Sequence, residues 1–140
     1  MTTENRWLLP EGIEELLPER ASQLEALRRR LLDQCGTWGY RYVIPPLVEF
    51  TDSLLIGLGA DLDVVTCKFT DQMSGRMLGV RADITPQAAR MDAHSLAENG
   101  VTRLCDAGST LQSTPQSVIG GRAPIQLGAE LFGCDAIEAD

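Results

Sequence analysis

The segment from Arg81 to Arg90 constrains the fold most, because the sequence changes there from the pattern of a strand to that of a helix. Residues 76–81 predict a strand. Pro86 is typical of the first helical turn, where its missing N–H has no partner to lose. Thr85 is predicted to cap the helix by accepting a backbone N–H, and Asp83 lies near the positive end of the helix dipole. This corner fits either helix capping alone or the binding of an ammonium group.

A second polar pattern lies in the last predicted strand, residues 125–132. Its apolar residues alternate with polar ones, so Gln126 and Glu130 fall on one face of the strand, ~13 Å apart along it. Gly128 lies between them on that face and leaves room for something to lie across the sheet. An ordinary polar sheet face exposed to solvent is the alternative interpretation.

The remaining pattern predicts an α+β fold, with an antiparallel sheet flanked by helices. Apolar residues at three- and four-residue spacing predict a long helix from Glu19 to Cys35, and further strands are expected at residues 40–44, 64–69 and 103–111. A loop of about a dozen residues separates the last two strands, and loops of that length are often functional. We expect residues 1–140 to belong to one domain.

Charge and composition argue against several function classes. The net charge is −8 with a single lysine, Lys68, and a nucleic-acid binder usually has a basic surface, so tRNA binding is not expected. The four cysteines form no CxxC pair and His94 is the only histidine, which predicts no metal site and reduced, mostly buried thiols of a cytosolic protein. No run approaches the ~20 apolar residues of a membrane span. We therefore expect a soluble, cytoplasmic protein without membrane contact.

Catalytic motifs are also missing from the sequence. No glycine-rich phosphate loop occurs, and nothing positions a nucleophile beside His94. We predict no catalytic residue. From the residues alone, the chain is a binding module with a polar site on a sheet.

The chain resembles the catalytic core of class II aminoacyl-tRNA synthetases and, within that group, the histidyl-tRNA synthetases. The resemblance runs from Leu9–Gly12 to the final strand. The long helix with Gly39–Pro46 resembles the first class II motif, which lies at the dimer interface in those enzymes, and Cys105–Gly133 resembles the second motif. The third motif is missing, so we expect the core to be incomplete at its C-terminal end.

The resemblance implies a retained amino-acid site. These synthetases have Arg-Pro-Glu-Gly-Thr where this chain has Arg81-Ala82-Asp83-Ile84-Thr85, so the acid is shortened and the threonine kept. Gln126 and Glu130 match the glutamine and glutamate with which the family holds histidine. We therefore expect histidine to bind to Asp83, Thr85, Gln126 and Glu130.

The ATP side of the same site differs from the family pattern. Gln112 stands where the synthetases have the arginine that binds the α-phosphate, and Pro124 replaces the phenylalanine that stacks on adenine. Arg122 matches one loop arginine and is a candidate contact of the second-motif loop. Because adenylation relies on stabilising charge at phosphorus, we expect no amino-acid activation and no cofactor.

Arg81–Gln87 and Arg103–Ser109 resemble the corresponding segments of ATP phosphoribosyltransferase regulatory subunits, a family of histidyl-tRNA synthetase-like paralogues. This resemblance implies a non-catalytic subunit that is required for the first step of histidine biosynthesis and takes part in feedback inhibition by histidine. It also implies a homodimer through the first motif and a hetero-octamer with the short-form catalytic subunit. A fragment of an active histidyl-tRNA synthetase and another synthetase-like amino-acid-sensing adaptor remain as alternatives.

Overall fold

Two three-stranded sheets organise the fold in the computed structural model, which describes residues 6–115, 117 and 120–137. The helices are α1 (Pro18–Thr37), α2 (Thr51–Leu54), α3 (Ala60–Val65) and α4 (Thr85–Arg90), and α4 continues into a π-helical segment, Met91–Leu96. The strands are β1 (Arg41–Tyr42), β2 (Val48–Phe50), β3 (Lys68–Thr70), β4 (Met77–Val80), β5 (Thr102–Ser109) and β6 (Ile125–Phe132). The predicted α+β class is confirmed.

The first sheet has the order β1-β5-β6. Strands β5 and β6 pair antiparallel over their full length, from Thr102 opposite Phe132 to Ser109 opposite Ile125. Strand β1, in contrast, runs parallel to β5, with Arg41 opposite Leu104. The expected antiparallel pairing thus holds between β5 and β6, and β1 differs from it. Parallel pairing is allowed because the connection from β1 to β5 is long and passes through the second sheet and α4.

The second sheet has the order β2-β4-β3, and both of its pairings are antiparallel. Its β3–β4 hairpin turns at residues 71–75 as predicted, because the Asp71 carboxylate accepts the backbone N–H groups of Met73 and Ser74. The strand predicted from residue 64 begins only at Lys68, since residues 64–65 end α3. Two acids in the first turn of α3 stabilise that helix against the β-preference of its valines.

Arg81, directly after β4, joins the two sheets. Its Nη1 donates to the Pro45 carbonyl at 2.8 Å, and its Nε donates to the carbonyl of Ser109, at the end of β5, also at 2.8 Å. The side chain is buried, so these bonds offset the cost of removing a guanidinium from water. The corner that follows Arg81 is thereby fixed against the first sheet.

The core lies between α4 and the first sheet, where Ile84, Ala88 and Leu104 are fully buried. Helix α1 packs on β1 and β5, but Leu27 and Leu31 of its predicted apolar face stay half-exposed, at 51% and 41%. The expectation of mostly buried cysteines was wrong, since only Cys105 is buried among the four free thiols. The apolar face of α1 is therefore open to a partner.

Candidate functional site

The corner between β4 and α4 is built differently from the prediction. The Asp83 carboxylate, through Oδ1, accepts the backbone N–H of Thr85 at 3.1 Å, at the start of α4. The Thr85 hydroxyl does not cap the helix; it donates to Glu130 Oε1 at 2.9 Å. A charged acceptor on β6 makes the stronger hydrogen bond, which explains why this hydroxyl leaves the helix terminus. The predicted capping role of Thr85 was wrong, and Asp83 takes it.

Gln126 connects the same corner to β6 by a second route. Its Nε2 donates to Asp83 Oδ1 at 2.8 Å, and its Oε1 accepts the Ile84 backbone N–H at 3.1 Å. All four side chains expected to hold histidine therefore meet, although Thr85 and Glu130 are 45 residues apart. They are half-buried, so they form a polar site and not a closed core network.

Asp83 and Gln126 also line a cleft of about 380 Å³. Gln112 and Pro124, the two residues expected on the altered ATP side, line the same cleft. Among the described residues that line it, Asp83 is the only charged one; the others are Leu62, Ala82, Thr110, Gln112, Pro124, Ile125 and Gln126. A phosphate placed there would meet a carboxylate and no basic side chain from this lining.

Arg122 braces the second-motif loop. Its Nε donates to the Gln112 carbonyl at 3.0 Å and its Nη1 to the Glu11 carbonyl at 3.3 Å. Its backbone N–H donates to the Gly12 carbonyl at 2.7 Å. The guanidinium is thus engaged with backbone groups of the loop and of the N-terminal segment, and its predicted ligand contact stays a prediction.

Asp106, which was not among the residues predicted from the sequence, lies on β5 directly opposite Gly128. The residue is 1% exposed, and neither carboxylate oxygen has a hydrogen-bond partner in the described part of the chain. Burial and the nearby charge of Glu130 raise the pKa of Asp106 to about 6; Arg81 opposes this rise and Asp83 adds to it. Asp106 could have been found from two signals. It is an acid inside an apolar strand, and it faces a glycine once β5 and β6 are paired.

Among the residues that the structure describes, no three His, Cys, Asp or Glu side chains come together as a group that could hold a metal ion. Within the same residues, no helix is both long and apolar enough to cross a membrane.

The two sheets, the β4–α4 corner and the polar face of β6 define an α+β core of the class II aminoacyl-tRNA synthetase type. The model of the Histidyl-tRNA synthetase family matches residues 12–140. The chain belongs to that family.

Relatives that match with high sequence identity carry a more specific name. A protein named ATP phosphoribosyltransferase regulatory subunit from Teredinibacter turnerae is 60% identical over 140 residues, which are all of this chain and 36% of that protein. A protein of the same name from Alkalilimnicola ehrlichii is 59% identical over 137 residues, which are 98% of this chain and 34% of that protein. The chain thus spans about a third of the length of these curated relatives.

Solved structures agree with the fold assignment. A crystal structure described as an ATP phosphoribosyltransferase regulatory subunit/histidyl-tRNA synthetase from Bacillus halodurans C matches with a TM-score of 0.82 and 26% identity, over 99% of this chain and 36% of that one. A histidyl-tRNA synthetase from S. aureus matches with a TM-score of 0.68 and 20% identity, over 87% of this chain and 28% of that one. The second likeness concerns the fold alone.

Proposed function

We propose that this chain is the histidine-sensing part of a regulatory subunit of ATP phosphoribosyltransferase, and that it catalyses no reaction itself. In this role it supports a short-form catalytic subunit in the first step of histidine biosynthesis and passes on feedback inhibition by histidine. The relatives with this name, at 60% and 59% identity, support the assignment of the subunit.

The observation that carries the proposal is the hydrogen-bonded group formed by Asp83, Thr85, Gln126 and Glu130. Its two carboxylates favour a cationic ligand, and its hydroxyl and amide can fix the orientation of that ligand. Helix capping alone would need only the Asp83 bond to the Thr85 backbone. The links to Gln126 and Glu130 on β6 go beyond capping and favour a binding site.

The absence of catalysis is supported by the cleft beside this group. Gln112 and Pro124 line it, and Asp83 is the one charged residue in its described lining. Phosphoryl groups are held in proteins by arginine, lysine or metal ions, and adenylation needs such charge in its transition state. An active histidyl-tRNA synthetase fragment is therefore the weaker candidate, although the family model and the S. aureus neighbour carry that enzyme's name.

The assembly is part of the same proposal. The half-exposed Leu27 and Leu31 on α1, with Tyr42 and Ile44 near β1, offer apolar surface for the homodimer contact expected from the first motif. With the catalytic chains, the dimer would build the hetero-octamer, which we place in the cytoplasm. tRNA plays no part in this proposal, in keeping with the net charge of −8.

The test uses the complete gene product, purified with and without a short-form phosphoribosyltransferase chain. We expect no histidine-dependent ATP–pyrophosphate exchange, measurable histidine binding by calorimetry, and inhibition of the phosphoribosyltransferase by histidine in the complex. An active histidyl-tRNA synthetase is the positive control for exchange. Gln112→Arg should not restore exchange, because Pro124 also departs from the family pattern. Exchange above background in the unmodified protein would refute the non-catalytic assignment, and failure to co-purify would favour a different adaptor.

A further inference from the structure

Asp106 is a buried carboxylate that the hydrogen-bonded group described above does not use. Both of its oxygens lack partners in the described part of the chain. The nearby cation, Arg81, donates instead to the carbonyls of Pro45 and Ser109, and the nearby hydroxyl of Thr85 donates to Glu130. Buried polar groups in native proteins are almost always paired, so an unpaired carboxylate at this depth calls for a partner that the chain itself does not supply.

The position of Gly128 indicates where that partner would lie. A Cβ atom built on Gly128 would be 3.2 Å from Asp106 Oδ2 and 3.3 Å from Glu130 Oε1. The two carboxylates therefore approach the same small volume, and the missing side chain of Gly128 keeps it open. Gly128 does not have a positive φ, so its backbone conformation does not require glycine. A side chain at this position would crowd the two acids, which is a physical reason for a glycine here.

We propose that the space above Gly128 receives the cationic nitrogen of the bound amino acid, and that Asp106 joins Glu130 in holding it. This inference rests on the proposed function and deepens it by adding a fifth binding residue. A single protonated nitrogen would give both carboxylates a charged partner. A metal ion is a poorer occupant, since the described residues contain no group of three acidic, histidine or cysteine ligands at this place.

The first test is calorimetric titration of histidine into the complete gene product bound to its catalytic subunit. Asp106→Asn keeps the shape of the side chain and removes its charge, and it should weaken binding about tenfold or more at pH 8. Asp52→Asn, the same change on an exposed side chain, is the matched control and should leave the affinity unchanged. Imidazolepropionate, which lacks the amine, distinguishes the two nitrogen groups of histidine. If the dependence on Asp106 is lost with this ligand, the ammonium is the group bound there, and otherwise it is the imidazole ring.

The pH dependence gives a readout that a merely structural role would not change. Because the pKa of Asp106 is raised to about 6, protons compete with the ligand below that pH in the unmodified protein. The affinity ratio between the unmodified protein and Asp106→Asn should therefore shrink towards one between pH 8 and pH 5. The charged groups around Asp106 are the same in both proteins, namely Arg81, Asp83 and Glu130. The ligand also titrates in the same way in both experiments. The affinity ratio therefore reports the titration of Asp106 alone.

Gly128→Ala provides an independent test if the asparagine variant does not fold. Its methyl group would fill the space between the two carboxylates and should abolish most histidine binding. If the unmodified protein binds histidine and both variants bind it equally well, the inference is refuted. If the unmodified protein does not bind histidine, the proposed function fails first.

Discussion

Replacing Asp106 with asparagine should stabilise the ligand-free protein increasingly as the pH rises from about 4 through 6. The carboxylate is 1% exposed and unpaired within the described residues, so its charged form is disfavoured in the folded state. In the unfolded chain its pKa returns to the ordinary value of 3.8, whereas in the folded protein it is about 6. The folded state therefore binds this proton more tightly. The stability that comes from the neutral carboxyl is fully present below pH 3.8 and is lost as the pH rises through 6.

The size of the effect follows from the difference between the two pKa values. A difference of about two corresponds to ~3 kcal/mol at neutral pH, because each pKa unit is worth ~1.4 kcal/mol. The amide of the Asp106→Asn variant has no charge to lose. The free energy of unfolding of this variant, relative to that of the unmodified protein, should therefore rise by about 2–3 kcal/mol between pH 4 and pH 7.5.

The measurement is urea unfolding of the complete gene product, followed by circular dichroism at several pH values without histidine. Asp52→Asn, on an exposed side chain, is the matched control for the loss of one carboxylate. A difference for Asp106→Asn that does not change with pH would mean that this carboxylate ionises normally in the folded protein. Asp106 would then not be a buried carboxylate whose charge needs a partner.

Three further predictions concern the binding site, the dimer and the packing of the sheets. Glu130→Gln should weaken histidine binding roughly ten- to a hundredfold in calorimetry, because a hydrogen bond to a charged group is worth ~1.5–3 kcal/mol. Unchanged affinity would mean that Glu130 is only part of a polar sheet face. Leu31→Asp should dissociate the proposed homodimer in sedimentation experiments, since a charge buried in that contact without a partner would cost several kcal/mol. An intact dimer would place the contact elsewhere. Gly108→Ala should destabilise the protein by ~1–3 kcal/mol in urea titrations, because its methyl group would collide with Arg81. The control is Gly36→Ala in α1, where nothing lies within 4 Å and the change should stabilise the protein by ~0.5–1 kcal/mol. Equal effects of the two substitutions would contradict the predicted collision.

The sequence predicted those parts of the fold that are determined by local patterns. Strand β6 has the predicted bounds, because its alternation has period two and its ends are marked by proline and glycine. Helix α1 was predicted for a similar reason, from its apolar spacing. The start of β3 was missed because the valines before it end α3, where the acids of the first helical turn outweigh the preference of the valines for strands.

The residues of the candidate site were expected from the sequence, but the hydrogen bonds between them were not. Asp83, Thr85, Gln126 and Glu130 were found from residue type and resemblance, and the structure places them within one hydrogen-bonded group. The donor role of the Thr85 hydroxyl depends on a glutamate 45 residues away, which no local rule for helix caps includes. Asp106 has no partner at a short spacing in the chain, so its importance emerges only from the pairing of β5 with β6.

The division of the site between the two sheets has a mechanical consequence. Asp83 and Thr85 follow a strand of the second sheet, whereas Gln126 and Glu130 belong to the first. A ligand bound by both pairs would link the two sheets. Any shift of one sheet against the other would then stretch or shorten the hydrogen bonds to the ligand. Ligand binding would therefore favour one relative position of the two sheets over others. A partner subunit resting on the outer surfaces of the two sheets would then sense the bound ligand at a distance.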